Sequence, residues 1–354
     1  MSQAIDRSVA GRKLEHLRAI ENDAEVDRRG GGFDRIALTH RALPELDLAA
    51  IDSTTEFLGK PLRFPLLISS MTGGSGDEIM RINRNLAQAA EQMGVAMAVG
   101  SQRVMFTTPE SKASFALREF APSIPLVSNI GAVQLNEGVG VEQCLQAIDI
   151  LRADGLYLHL NPLQEAVQPE GDRDFTNLAA KIADLVPQMP VPVLIKEVGC
   201  GLAMADIRLA LDAGVRHFDV AGRGGTSWSR IEYHRRQNES DDLGMVFQDW
   251  GLPTIDCLRE GRQLLDCQSE ATVLIASGGI RNGIDMAKCL ILGADLCGVA
   301  APFLKAAQQS VEAVIESIEK FYTEFRTAMF LMGCSNLSTL QGNHQLIRLE
   351  RGAL

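Results

Sequence analysis

Eight short runs rich in Val, Ile, Leu and Ala recur along this chain of 354 residues, each ending in glycine, serine, asparagine or a charge and followed by an amphipathic stretch. That rhythm constrains the fold strongly, because neighbouring parallel strands need a crossover and the usual crossover is a helix. The runs fall at 65–70, 96–100, 126–129, 156–159, 193–197, 218–221, 273–276 and 296–300. Read as strands buried on both faces, eight of them favour a closed α/β barrel of the (β/α)8 type over an open doubly wound sheet. Helices fit between them. The stretch 77–93 carries Ile79, Ile82, Leu86 and Ala90 on one face, and 141–152 and 206–213 show similar stripes. Three handovers to the next strand read Ala153-Asp154-Gly155, Ala213-Gly214-Val215 and Gly293-Ala294-Asp295, where glycine is expected to cap the helix.

The length and a hydrophobic content of 46% are enough for one large core, so residues 1–354 read as a single barrel domain with additions. Two segments stand outside the repeat: an N-terminal extension, 1–60, and a charged insertion after strand six, 228–250. Insertions after barrel strands build the ligand-facing end, and long ones act as lids; a solvated loop is the alternative. A net charge of -11 argues against a general nucleic-acid surface and against an anionic membrane, so any anionic ligand must find a local basic cluster. The 7 cysteines show no metal-finger or C-x-x-C spacing and read as reduced core residues of a cytoplasmic protein. Met1 to Arg18 is polar and charged, and no apolar run reaches the roughly 18 residues of a span, so neither a signal peptide nor a membrane segment is expected.

Chemistry is expected where strands end, since the carboxyl ends of parallel strands open onto the ligand site. Strand four ends abruptly in His159-Leu160-Asn161-Pro162-Leu163-Gln164-Glu165. After strands seven and eight come Ser277-Gly278-Gly279-Ile280-Arg281 and Gly298-Val299-Ala300-Ala301-Pro302, where glycine lets backbone N–H groups approach a phosphate. Other strand ends add Ser70 to Gly74, Gly100 to Arg103, Ser128-Asn129 and Gly222 to Thr226. Lys196 ends an apolar strand, where an ammonium needs either an anionic ligand, such as the electron-rich edge of a reduced flavin, or a core carboxylate.

Arg12-Lys13-Leu14-Glu15-His16, Met71-Thr72-Gly73-Gly74, Ala98-Val99-Gly100-Ser101, the strand-four string and Ser277-Gly278-Gly279-Ile280-Arg281 together resemble type 2 isopentenyl-diphosphate isomerases, over nearly the whole chain. The resemblance implies a TIM barrel that binds FMN and Mg2+, uses NADPH to reduce the flavin, and interconverts isopentenyl and dimethylallyl diphosphates. By the same resemblance Arg12 and Lys13 bind the substrate diphosphate, with Ser101, Gln102 and Arg103 completing that pocket. Thr72, Gly73, Gly74, Ser101, Asn129, Lys196 and Thr226 match flavin contacts, and Gly278, Gly279, Ile280, Ala300 and Ala301 match a grip on the FMN phosphate. Gln164 matches the substrate-side catalytic glutamine and Glu165 the metal ligand. His159 and Asn161 share a strand face and are placed with the catalytic group, orienting the diphosphate or the metal's water. A cytoplasmic homooctamer is also implied.

Three rivals are weighed against this. An FMN-dependent 2-hydroxy-acid oxidase needs a histidine base beside an arginine in the loop after strand six or seven, and neither loop contains one. An inosine-monophosphate dehydrogenase needs a Gly-Ser-x-Cys loop, which is missing. A non-enzymatic phosphate-binding scaffold is the third.

Overall fold

The computed structural model describes residues 9–71, 73–74, 76–235 and 241–349, with the side chains of 9–14, 17 and 349 excepted. The eight runs form strands β1 (Leu66–Ile68), β2 (Ala96–Ala98), β3 (Leu126–Gly131), β4 (Gly155–Leu160), β5 (Val193–Glu197), β6 (His217–Asp219), β7 (Val273–Ser277) and β8 (Leu296–Val299). They pair in parallel in chain order, and β8 returns to β1 with Cys297 opposite Leu66, closing the barrel.

Side chains alternate across each strand, and here both faces are buried. One set meets the helices: Leu66, Ile68, Leu126, Leu156, Leu158, Val193, Ile195, Phe218 and Leu274 belong to the shell between barrel and helices. The other set points inward, where Leu67, Ala96, Ala98, Val127, Tyr157, Leu194, Ile275 and Leu296 fill the cylinder. A hairpin of Thr55–Phe57 and Lys60–Leu62 precedes β1, and its Phe57 and Leu62 join this inner cluster as a plug. The helix Asp77–Met93 buries Ile79, Ile82, Leu86 and Ala90, the face that its periodicity marks.

The three glycine turns divide. Gly214 and Gly293 follow their helices at φ 89° and 96°, the left-handed conformation that a helix stop requires. Gly155 does not cap: Arg152 takes the left-handed position at φ 49°, and Gly155 is the first residue of β4. A Cβ there would meet Leu194 Cδ1 at 2.9 Å and Leu58 Cδ1 at 3.0 Å, so glycine answers the crowding at the plugged end.

The insertion is structured on both sides of 236–240. Helix Trp228–His234 leads into helix Leu243–Val246, and Ile231 is buried against Ala19 and Val26 of the N-terminal extension. The extension also supplies strand Ile36–Leu38, which pairs antiparallel with Ile347–Leu349 near the other terminus. All seven cysteines are free; five are buried, Cys200 is half-buried and Cys267 is exposed, so Cys267 departs from the core assignment. Among the described residues no helix is long and apolar enough to cross a membrane.

Phe57→Ala is expected to cost about 3–5 kcal/mol, the usual range for emptying a buried phenylalanine site. Urea unfolding would show it as a lower midpoint at unchanged slope.

Candidate active site

Two residues above the layer that fills the cylinder, the inward positions change character. Counting on from Leu67, Ala98, Val127, Tyr157, Leu194, Asp219, Ile275 and Leu296 gives Ser69, Gly100, Asn129, His159, Lys196, Ala221, Ser277 and Gly298. All eight line one cavity at the carboxyl ends of the strands. Its floor is therefore one residue from every strand, small or polar throughout. Its walls include Met71, Ser101, Thr226, Gly278, Gly279, Ile280, Arg281, Ala300 and Ala301, with His16, Gln164 and Trp228 also lining it.

The floor is held by hydrogen bonds. His159 Nδ1 donates to Asn129 Oδ1 at 2.7 Å, and Asn129 Nδ2 donates to Ser70 Oγ at 2.8 Å and to the Val99 carbonyl at 3.1 Å. Lys196 Nζ reaches Asp219 Oδ2 at 2.8 Å and Ser277 Oγ at 3.2 Å. The core carboxylate and the cavity thus both claim this lysine. Ser69 Oγ is buried at the floor and has no hydrogen-bond partner.

Gly278 and Gly279 stand at φ 98° and 81°, and a Cβ on either would run into the backbone of Gly222 or Gly224 at 2.0 and 2.3 Å. The loops after β6 and β7 are packed backbone to backbone, so neither glycine can carry a side chain there.

Beyond the floor, Gln164 Nε2 donates to Glu232 Oε1 at 2.9 Å, and His16 Nε2 donates to the same oxygen at 3.1 Å. Arg235 closes on the other oxygen and also pairs with Glu15 at 3.0 Å and Glu170 at 2.6 Å. Burial by itself would raise the Glu232 pKa; the hydrogen bond and charge of His16, the Arg235 charge and the Gln164 amide outweigh it and hold the carboxyl at about 2. Glu232 is the join between the N-terminal helix Val9–Asn22, the insertion helix and the strand-four loop.

Glu165 lies one residue further on, largely buried. Its oxygens accept from Asn161 Nδ2 at 2.8 Å and from the Asp172 amide at 2.7 Å. Burial raises its pKa against both hydrogen bonds, so a cation beside it would be favoured. Asn161 Oδ1 is buried without a partner. Among the described residues no cluster of three or more His, Cys, Asp or Glu forms a cage.

Several expected positions fall elsewhere. Gln102 is wholly buried and turned into the wall, donating to the Ala147 carbonyl at 3.0 Å and accepting from the Asn129 amide at 3.0 Å. Arg103 is ion-paired with Asp172 and stands beside Glu165 rather than on the cavity. Gly73 sits behind Ser101, where a Cβ would meet the Ser101 carbonyl at 2.8 Å, and Gly74 accepts from Ser114 Oγ at 2.7 Å; neither lines the cavity. Asn161 also stays off it and holds Glu165 and Gln164. Thr72 and the side chains of Arg12 and Lys13 lie outside the described residues, though Arg12 and Lys13 are in the helix that brings His16 to the cavity.

Comparison with known proteins agrees with this geometry. A family model described as FMN-dependent dehydrogenase matches residues 13–110 and 127–347. The isopentenyl-diphosphate delta-isomerase of Paracoccus zeaxanthinifaciens is 68% identical over 348 residues, 98% of this chain and 100% of its own length. The chain belongs to the isopentenyl-diphosphate delta-isomerase family. The Hydrogenovibrio crunogenus member is 54% identical over 97% of this chain and 99% of its own. In fold, this member of the family resembles a flavocytochrome b2 double mutant with sulfite bound, at a TM-score of 0.68 and 19% identity over 95% of this chain and 83% of that one. A mandelate oxidase mutant with a monooxide FMN adduct gives 0.62 and 18%, over 96% and 92%.

For an isomerase of this family the cavity fits FMN on two observations of the structure itself. Bare backbone at Gly278 and Gly279, where no Cβ is tolerated, lines the cavity, and the floor ends in an unpartnered buried hydroxyl, Ser69, beside Gly298. Sequence reasoning passed over Ser69, took Ser277 only as the opening of the glycine motif, and passed over Asp219 and Glu232. Strand period alone would have found the first two, as each stands two residues beyond an inward apolar position.

Glu232 has a folded-state pKa below its ordinary 4.5, so its stabilising contribution is fully present above that value and is lost as pH falls toward about 2. Glu232→Gln is expected to cost roughly 2–3 kcal/mol at pH 7 and almost nothing near pH 2, measured by urea unfolding across that range.

Proposed function

We propose that this protein converts isopentenyl diphosphate to dimethylallyl diphosphate, with FMN in the barrel cavity and the substrate held between it and the N-terminal helix. The observation that carries the reading is the meeting of His16, Gln164 and Glu232 beside a cavity whose floor and cradle suit a flavin.

Moving the double bond by one carbon adds a proton at the terminal alkene carbon and removes one from the allylic carbon. FMN, reduced by NADPH, supplies an electron-rich ring with an exchangeable proton, which ordinary side-chain acids do not match against an unactivated alkene. Gln164 and His16, which both line the cavity, are the side chains assigned to the alkene. Gln164 has no useful pKa and acts by position: its amide is held at one end by Glu232 and at the other by Asn161 Nδ2 at 3.2 Å. His16 donates through Nε2 to the ionised Glu232, which fixes its ring at the cavity wall and favours its charged form. That is the division of labour of a carboxylate–histidine pair.

The diphosphate is assigned to Arg12, Lys13, Ser101 and Arg103. Mg2+ is assigned to Glu165, with the Asn161 carbonyl on its water shell; phosphate oxygens and water complete the coordination, as they commonly do for this ion. Gln102 acts indirectly, by fixing Ser128 and Asn129. Lys196, Asn129, Thr226 and Ser101 face the flavin, while Gly278, Gly279, Ile280, Ala300 and Ala301 take its phosphate. His159 orients Asn129 and reaches the cavity alongside it. Gly73 and Gly74 shape the loop behind Ser101, and Thr72 is assigned to the flavin. A cytoplasmic homo-oligomer, an octamer by the sequence resemblance, completes the assignment.

The 2-hydroxy-acid oxidase alternative loses ground on the same map. The cavity's histidines come from the N-terminal helix and β4, whereas the loops after β6 and β7 present Ala221, Gly222, Ser277, Gly278 and Gly279.

Anaerobic incubation with FMN, NADPH, Mg2+ and isopentenyl diphosphate is expected to yield the dimethylallyl isomer. Gln164→Ala is expected to stay folded and yellow with turnover at least roughly tenfold lower, about 1.4 kcal/mol in barrier. No conversion by wild type with its flavin visibly reduced would defeat the proposal, and near-normal turnover of the variant would remove Gln164 from the mechanism.

A further inference from the structure

Beneath the cavity floor lies a buried polar group with no part in the scheme above. Asp219, on β6, is wholly buried inside the barrel. It accepts from three strands: Tyr157 Oη of β4 at 3.0 Å, Lys196 Nζ of β5 at 2.8 Å, and Ser277 Oγ of β7. Lys196 stands opposite Asp219 in the β5–β6 register, and Ile275 stands opposite it in β7, two residues before Ser277. Lys196 and Ser277 line the cavity, whereas Asp219 and Tyr157 do not. The arrangement is layered: an ammonium and a hydroxyl at the floor, with a carboxylate directly behind both.

We propose that Asp219 is a positioning residue that holds Lys196 at the floor and offsets part of its charge, thereby setting how strongly the site prefers reduced over oxidised FMN. This rests on FMN occupying the cavity. Reduction adds negative charge to the flavin, which a nearby ammonium favours; a carboxylate 2.8 Å behind that ammonium weakens the preference. Tyr157 and Ser277 spread the Asp219 charge by donating to it, and burial beside Asp219 raises the Tyr157 pKa well above its ordinary value, keeping the phenol a donor. Ser277 bridges the two charges. Its hydroxyl accepts from Lys196 at 3.2 Å and donates to Asp219, so its loss leaves the ammonium and carboxylate more fully to each other.

The test is the two-electron midpoint potential of FMN-loaded wild type, Asp219→Asn and Ser277→Ala. The potential reads the ratio of affinities for the two flavin forms. It does not move when a substitution merely loosens the fold and weakens both equally. Asp219→Asn is expected to shift the ratio at least tenfold toward reduced FMN, about 30 mV upward for a two-electron couple. In that variant the reduced flavin itself becomes the counter-ion of Lys196. Ser277→Ala is expected to shift it about threefold the other way. Opposed shifts support the proposal; no shift, or shifts of the same sign, in flavin-loaded protein overturn it. Should Asp219→Asn fail to fold, the direction of the Ser277→Ala shift decides alone. Wild type that takes up no FMN would instead contradict the flavin reading on which this one rests.

Discussion

Each barrel strand is buried on both faces, so every second side chain must be accommodated inside a closed cylinder. That steric constraint organises the rest. At the plugged end the inward positions are filled by Leu67, Val127, Tyr157, Leu194, Ile275 and Leu296, with Phe57 and Leu62 packed below them. One strand period higher the same positions become serine, glycine, asparagine, histidine and lysine, and the cylinder opens into a cavity. Polar groups placed there would be costly without partners. They have them: His159 with Asn129, and Lys196 with Asp219 and Ser277. The apolar layer supports a rigid polar floor, and the floor can present fixed donors to a bound group without reorganising.

The upper side of the site is made differently, by segments far apart in the chain. Glu232 draws together His16, Gln164 and Arg235, and Arg235 in turn holds Glu15 and Glu170. A second clamp sits nearby, where Asp23 pairs with Arg230 at 2.5 Å and His234 at 2.6 Å; the Arg230 hydrogen bond leads in pulling the Asp23 carboxyl down to about 2. The N-terminal helix and the insertion helix are thus tied to each other and to the strand-four loop mainly through charge, over a small apolar seat of Ala19, Val26 and Ile231.

Much of the fold was legible in the residues. The eight apolar runs land on the eight strands, and the Asp77–Met93 helix carries the face its periodicity marks. What misled was local: Gly155 reads as a helix stop, yet its role is to leave room for Leu194 and Leu58, a contact between elements that no local turn rule contains. The site was legible where strand ends announce it, at Asn129, His159, Lys196 and the glycine loops. Gln102 and Arg103 share the β2 strand end with Ser101, but only Ser101 turns to the cavity, because the chain enters helix Val104–Thr107 there and rotates its neighbours away. Glu232 was hidden for a different reason. In sequence it is one charge among many in an insertion, and its burial follows from His16, more than two hundred residues earlier, which local patterning does not reveal.

Flavin binding depends most on the floor of the cavity, and Ser69 tests that directly. Its hydroxyl is buried and unpartnered beside Gly298 in a residue that lines the cavity, so Ser69→Leu fills the floor with apolar bulk while leaving the strand hydrogen bonds in place. FMN titration of the apo-protein, followed by quenching of flavin fluorescence, is predicted to show binding weakened at least roughly a hundredfold, about 2.7 kcal/mol, in a variant that still unfolds cooperatively. FMN affinity equal to that of wild type would contradict the account.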